Sequence, residues 1–406
     1  MAQRCSANLF DVIVVGGGIM GSSTAYQVAK RGSKVLLLEQ FDFLHHRGSS
    51  HGESRTIRAT YAEEYYCDLA HHCAKLWEEA EAEIGYKVYF QASQLDMGPS
   101  DDKTLLSIVR NFAAKSCPLE KLNPKQVEHK FSGRITIPDT WIGVHTKLGG
   151  VLKPTKAVSM FQTLALRYGA TLKDNSEVTA ITKPSGGGGG VWVSTARGEM
   201  FTAKKCIVTA GPWTTKLVKK VSGLELPIQT LETTVHYWKI KDGHEKDYTI
   251  ESGFPTFASL GNPYIYGTPS FEYPGLIKVA IHGGRPCDPD KRSWQAQMDL
   301  DSIRGWITKT LGERVEEGAP SFSLSCMYSM TPQEDFIIDF LGGEFGNDVV
   351  VGGGFSGHGF KMSPAVGCIL ADLALTGQTD SVELSHFRIR QVFGNRQGNV
   401  KDLNGA

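Results

Sequence analysis

The chain of 406 residues has no long apolar run: nothing in it approaches the ~20 consecutive apolar residues needed to span a bilayer. It also lacks charge of one sign. Its 43 Lys and Arg balance 43 Asp and Glu, and no basic cluster is interleaved with aromatics. This argues against a nucleic-acid platform or an anionic-membrane anchor. The eight cysteines, at 5, 67, 73, 117, 206, 287, 326 and 368, include no Cys-x-x-Cys pair. They read as free thiols of a reducing compartment, with neither a disulfide framework nor a metal site. The residues from Met1 to Phe10 lack the apolar stretch of a signal peptide, so the expectation is a soluble, intracellular globular protein. No internal repeat is visible. Glycine is plentiful, with 45 residues, and much of it is clustered.

Those clusters sit at strand ends. Val12–Val15 is a short β-branched run, as a buried parallel strand should be. Residues 16–21 turn the chain, Ser22–Arg31 reads as a helix closed by Gly32, and Lys34–Glu39 returns as a second buried strand. That is a βαβ unit. Helical periodicity marks Glu63–Gly85, Leu105–Phe112, Lys156–Arg167, Asp290–Leu311 and Ser363–Leu375. Ser176–Thr182 and Val191–Thr195 read as a hairpin around the polyglycine Gly186–Gly190, a linker by composition. Lys205–Ala210 and Val349–Gly352 are further buried strands, while Pro227–Ile281 alternates in the manner of an antiparallel sheet. The expected fold is α/β, with a Rossmann-like dinucleotide domain interleaved with a mixed, largely antiparallel substrate domain. Its expected division gives 1–90, 148–225 and 320–390 to the first domain, 91–147 and 226–319 to the second, and 391–406 to a tail.

Gly16-Gly17-Gly18-Ile19-Met20-Gly21 satisfies G-x-G-x-x-G between a strand and a helix. In such a turn the first glycine bends the chain, the second admits a pyrophosphate and the third lets helix and strand pack closely. The helix start then presents free N–H groups to phosphate. Glu39, 18 residues past Gly21, suits two ribose hydroxyls. The motif by itself does not choose between FAD and NAD. Two further glycine sites close strands, Thr209-Ala210-Gly211-Pro212-Trp213 and Gly352-Gly353-Gly354-Phe355-Ser356-Gly357-His358-Gly359-Phe360-Lys361. Three strand ends converging on one dinucleotide suit an extended cofactor such as FAD. Arg55 and Arg58, if they open a helix, share a face and could meet one anion; a solvated basic turn is the other reading. In Leu276–His282, strand alternation sends Ile277, Val279 and Ile281 one way and Lys278, Ala280 and His282 the other, toward a cavity or toward water. Cys326, taken alone, reads as a small buried hydrophobe.

The stretch Gly48-Ser49-Ser50-His51-Gly52-Glu53-Ser54-Arg55-Thr56-Ile57-Arg58, with Cys326-Met327-Tyr328-Ser329-Met330-Thr331-Pro332 and Gly354–Lys361, resembles the monomeric sarcosine oxidase family. The likeness is closest to its eukaryotic sarcosine/L-pipecolate oxidase branch and runs from about Asp11 to about Arg390. The resemblance implies a two-domain flavin amine oxidase of the glutathione-reductase/D-amino-acid-oxidase type, with FAD joined through its 8α carbon to the sulfur of Cys326. It implies that Lys278 activates oxygen, that Arg58 and Lys361 clamp the substrate carboxylate, and that His51, Arg55, Tyr266, His282 and Tyr328 line the flavin face and amine pocket. For the cofactor it implies contacts from Gly16, Gly18, Ile19, Met20, Gly21, Glu39, Gln40, Arg47, Ser50, His51, Ser54, Arg55, Val178, Ala210, Gly211, Trp213, Gly354, Phe355, Gly357, His358, Gly359 and Lys361. The implied reaction oxidises a secondary amino acid (sarcosine, another N-methyl amino acid or L-pipecolate) to an imine that water hydrolyses, O2 leaving as hydrogen peroxide. Glycine or a D-amino acid as substrate, or an acceptor other than oxygen, stays open. The family also implies a monomer. Peroxisomal residence is an analogy only, since the chain ends Asn404-Gly405-Ala406 and carries no Ser-Lys-Leu-type tripeptide.

Overall fold

The computed structural model describes residues 9–184, 189–294 and 299–390. Two sheets organise the chain. The first has eight strands: six run in the order Ile337–Phe340, Val349–Gly353, Met200–Val208, Leu9–Val15, Val35–Leu38 and Thr171–Lys173, and Val191–Thr195 adds on Met200–Val208 with Val178–Thr182 paired to it. Its centre is parallel, so the apolar runs of Val12–Val15 and Val35–Leu38 are buried on both faces. The helices Ile19–Lys30, Pro154–Arg167 and Ser363–Thr376 cover one face, meeting Val12, Val14 and Leu37. The helix Thr214–Ser222 and the hairpin Val178–Thr182/Val191–Thr195 cover the other, against Ile13, Leu36 and Val208. Most of the loop expected to join that hairpin, at 186–190, lies outside the described residues, as do the tail and Cys5.

The second sheet has ten strands, in the order Arg285–Pro286, Gln229–Lys239, Leu276–Ile281, Ile265–Thr268, Thr256–Ser259, Tyr89–Pro99, Trp141–Leu152 and Arg55–Arg58. Phe322–Met330 is added on Gln229–Lys239, and Glu120–Leu122 on Trp141–Leu152. Neighbouring strands pair antiparallel, except Thr256–Ser259 with Tyr89–Pro99. Ile277, Val279 and Ile281 face an apolar layer shared with Ile303 and Ile307 of the helix Leu300–Thr310. The alternate side chains of that strand therefore point away from this layer.

Three expectations are corrected. Arg55–Arg58 is a strand, not a helix start: Thr56 and Ile57 are β-branched, and Thr56 pairs with Val151. Asp290 does not begin a helix. The helix starts at Leu300, where the Asp299 carboxylate accepts from the Ser302 N–H at 3.0 Å. Finally, Arg55–Arg58 and Phe322–Met330, expected in the dinucleotide domain, are strands of the second sheet, and the expected boundary at 147/148 falls inside the continuous strand Trp141–Leu152. Local pattern identifies a strand but does not say which sheet it joins.

Candidate active site and cofactor cavity

A cavity of about 900 Å³ runs between the sheets, from the first glycine turn to the inner face of the second sheet. At one end the glycines divide their work. A methyl on Gly16, whose φ is +105°, would meet the Thr209 carbonyl at 2.4 Å, and one on Gly21 would meet the Gly16 carbonyl at 1.8 Å. Gly16 thus packs the turn on the next strand end, and Gly21 packs the helix on the turn. Gly18 differs: a methyl there meets only the Ser50 side chain, at 3.0 Å, and otherwise faces the cavity. The Ile19 N–H at the helix start is held by Ser50 Oγ at 3.0 Å. Glu39 accepts from the Gly17 N–H at 2.6 Å and the Phe41 N–H at 3.0 Å, which fixes its carboxylate at the cavity wall. Met20, Gln40, Val178, Ala210, Gly211 and Trp213 line the same region.

Two of the expected cofactor residues, Gly21 and Gly354, shape the turns without lining the cavity. Arg47 lies outside it. Its side chain is exposed, with the guanidinium 4.7 Å from the Phe41 ring centroid, so the expectation of a cofactor contact is corrected. Phe355, Gly357, His358 and Gly359 line the cavity. A methyl on Gly357, at φ +75°, would sit 2.9 Å from His282 and 3.0 Å from the Tyr328 ring, so only glycine lets this loop approach the second sheet so closely.

At the far end the second sheet contributes charge. The two arginines do not form one clamp, because residues three apart in a strand point to opposite sides. Arg55 Nη2 donates to the carbonyls of Ser49 at 3.0 Å and His51 at 2.8 Å, and lies 3.5 Å from Cys326 Sγ. Arg58 instead donates to the Thr60 carbonyl and lies over the Tyr61 ring, 4.6 Å from its centroid. Lys278 Nζ donates to the Ser54 hydroxyl and carbonyl, with Glu272 Oε1 at 3.9 Å. Burial lowers its pKa to about 8, against the opposing pull of Glu272. Burial, then the Arg55 charge, lowers His51 to about 3, which leaves it neutral. Its Nε2 is buried in the cavity wall without a protein partner. Tyr266 and Tyr328 hydroxyls are 3.3 Å apart, and the His282 ring stands 5.4 Å from that of Tyr328. Lys361 Nζ reaches the Tyr61 hydroxyl and the His358 carbonyl, each at 3.2 Å. Burial, then Arg58, holds its pKa well below that of an ordinary lysine.

Sequence reasoning missed Tyr61, Gln94, Tyr264 and Glu272, all of which line this end or touch a residue that does. Proximity in the chain to Arg58, Tyr266 and Lys278 was the only signal for Tyr61, Tyr264 and Glu272, and Gln94 had none. Tyr61 lies beyond the end of its strand, where alternation gives no direction.

A backbone turn open at Gly18, an ordered acid at Glu39 and a chain of cavity walls ending at cationic side chains fit an elongated dinucleotide. The fold and cavity thus define a dinucleotide-dependent oxidoreductase. A family model described as FAD dependent oxidoreductase matches residues 11–373. The chain is 59% identical over 395 residues to a probable sarcosine oxidase of Arabidopsis thaliana, covering 97% of this chain and 95% of that protein. It is 37% identical over 388 residues to the peroxisomal sarcosine oxidase of Homo sapiens, covering 94% and 96%. Among solved structures, the open form of NikD, an unusual amino acid oxidase essential for nikkomycin biosynthesis, superposes with a TM-score of 0.80 at 25% identity, over 94% of this chain and 98% of that one. The chain belongs to the FAD-dependent oxidoreductase family and, within it, to the monomeric sarcosine oxidase family of flavin-dependent amine oxidases.

Proposed function

We propose that the protein oxidises N-methyl amino acids, sarcosine first among them, and that L-pipecolate is a second substrate. The observation that carries this reading is the pair of cations, half-buried Arg58 and buried Lys361, held against one tyrosine in the cavity that also contains Lys278 and Cys326. Two cations in a dry site suit one carboxylate. The carboxylate would lie between them, which turns the amine toward the wall of Tyr266, His282 and Tyr328. Bound FAD supplies the two-electron acceptor for the C–H bond beside nitrogen. The resulting imine leaves to water, giving formaldehyde and glycine from sarcosine.

Cys326 is the attachment point in this reading. Its sulfur lies 3.5 Å from the Arg55 guanidinium, in the cavity wall where a thioether bond to the cofactor would form. Lys278 is the oxygen site: an ammonium fixed by Ser54 stabilises the negative charge that develops as O2 is reduced to peroxide. A peroxide-forming oxidase suits a compartment that destroys peroxide, and the human relative is peroxisomal by name. We assign this chain the same compartment, as a monomer.

The test is the visible spectrum of the purified protein without oxygen, before and after sarcosine. Bleaching of an oxidised-flavin spectrum supports the substrate class, and repeating the titration with L-pipecolate ranks the two amines. A flavin spectrum unchanged by either would move the substrate to a different amine.

A further inference from the structure

Tyr61 has no part in the reaction described above, yet both carboxylate-binding cations meet on it. It is 5% exposed. Its ring lies under the Arg58 guanidinium at 4.6 Å, and the Lys361 ammonium is 5.8 Å from the same ring centroid. The π-face attracts the Arg58 cation, while the hydroxyl end of the same ring meets the Lys361 ammonium. The hydroxyl is held as well. Its oxygen accepts from Lys361 Nζ at 3.2 Å and lies 3.4 Å from His358 Nδ1, while His358 Nε2 is 2.9 Å from the Glu334 carbonyl.

That carbonyl can only accept, so Nε2 carries the histidine proton and Nδ1 is left as an acceptor. The Tyr61 O–H therefore donates to His358, and its lone pairs face Lys361. His358 stays neutral, because burial and the neighbouring Lys361 charge hold it well below the usual histidine range. Lys361 spends a second proton on the His358 carbonyl at 3.2 Å, which leaves one of its three for a ligand.

We propose that Tyr61 is the positioning residue that sets the separation and direction of Arg58 and Lys361, with the chain Lys361–Tyr61–His358–Glu334 fixing which way its hydroxyl points. The proposal rests on the reading that these two cations bind the substrate carboxylate. Tyr61 itself touches neither the reacting carbon nor the amine in this assignment. Its loss weakens recognition of the carboxylate and leaves the oxidation of an uncharged analogue unchanged.

The experiment compares Tyr61→Phe, Tyr61→Leu, Lys361→Met and Arg58→Gln as holoenzymes. Two readouts are taken: the dissociation constant of acetate from the shift it causes in the flavin spectrum, and the ratio of kcat/KM for sarcosine to that for sarcosinamide. Tyr61→Phe keeps the ring and loses the oxygen, and should weaken acetate and lower the ratio by about tenfold. Tyr61→Leu loses ring and oxygen and should raise the acetate dissociation constant and lower the ratio further, with kcat for sarcosinamide unchanged in each. If Tyr61→Phe will not load flavin, His358→Leu, which removes the acceptor of the tyrosine O–H, should likewise raise the acetate dissociation constant and lower the ratio. Acetate binding weakened by Lys361→Met but not by either Tyr61 variant overturns the positioning role and leaves the carboxylate reading standing. Acetate binding untouched by Lys361→Met and Arg58→Gln overturns the carboxylate reading, and the proposal falls with it.

Discussion

Lys278 shows how one residue's surroundings set its chemistry. Strand alternation turns it away from the apolar layer of Ile277 and Val279, and burial lowers its pKa to about 8. Its ammonium form is therefore complete below that value and lost as pH rises through it. Reoxidation of the reduced protein by O2 should fall as pH rises through about 8. Lys278→Met should slow it on the order of 100-fold and flatten the profile. Stopped-flow mixing with oxygenated buffer checks both, and equal losses in reoxidation and in substrate binding would contradict an oxygen role. Cys326 carries the other residue-scale prediction. It is buried at 8% exposure, with Arg55 beside its sulfur. Cys326→Ser should release its flavin on acid precipitation, and the native protein should carry flavin into the pellet. Yellow colour that still pellets with the variant would place the attachment elsewhere.

Single elements were read from sequence with uneven success, for physical reasons. The βαβ unit was legible because its strands are buried on both faces and its glycines are spaced by backbone contacts. Residues 55–58 were not: two arginines three apart satisfy helical spacing, and only pairing with Gly149–Leu152 makes them a strand. The glycine turn gives a prediction at this scale. Gly21→Ala places a methyl on the Gly16 carbonyl, a backbone overlap that side-chain motion cannot relieve, and should cost about 3 kcal/mol. Gly18→Ala meets only the movable Ser50 side chain and should cost about 1 kcal/mol at most, yet it should block FAD binding as severely. Thermal melts of the flavin-free proteins, followed by FAD titration, separate packing glycine from cofactor glycine. Similar melts for both variants would refute the division.

For the whole molecule the cavity is a joint between two sheets. Its substrate end buries Lys278 and Lys361 in the seam beside the half-buried Arg58; Glu272 lies near Lys278 and the charges of Asp96 and Glu63 favour the Arg58 cation, whereas Lys361 pairs with no acid among the described residues. Buried cations short of counter-charge weigh against the folded state. An anionic dinucleotide that bridges both sheets binds the native form alone and should stabilise it by mass action, about 2.7 kcal/mol at a hundredfold excess over its dissociation constant. Flavin-free Cys326→Ser should therefore melt several degrees below the same protein reloaded with FAD. An unchanged melting temperature on reloading would show that the cofactor does not bridge the seam. Lys216 pairs with Asp288 and Asp290, and Trp213 Nε1 donates to Asp290 at 2.6 Å, tying the second sheet's loop to the first domain at the cofactor edge.

The sequence alone determined the dinucleotide unit, because a parallel βαβ turn is specified largely by contacts within some thirty residues: the pairing of Val12–Val15 with Val35–Leu38, and the packing of Gly21 on the Gly16 carbonyl. It also determined the faces of Leu276–His282, since alternation is a property of the strand itself. Only the tertiary structure decided that Arg55–Arg58 and Phe322–Met330 join the second sheet, that Arg47 stays outside the cavity, and that Tyr61 lies between Arg58 and Lys361. Each of those outcomes depends on a partner more than 70 residues away or on a loop without periodicity. A linear pattern of apolar and polar residues carries no signal for either.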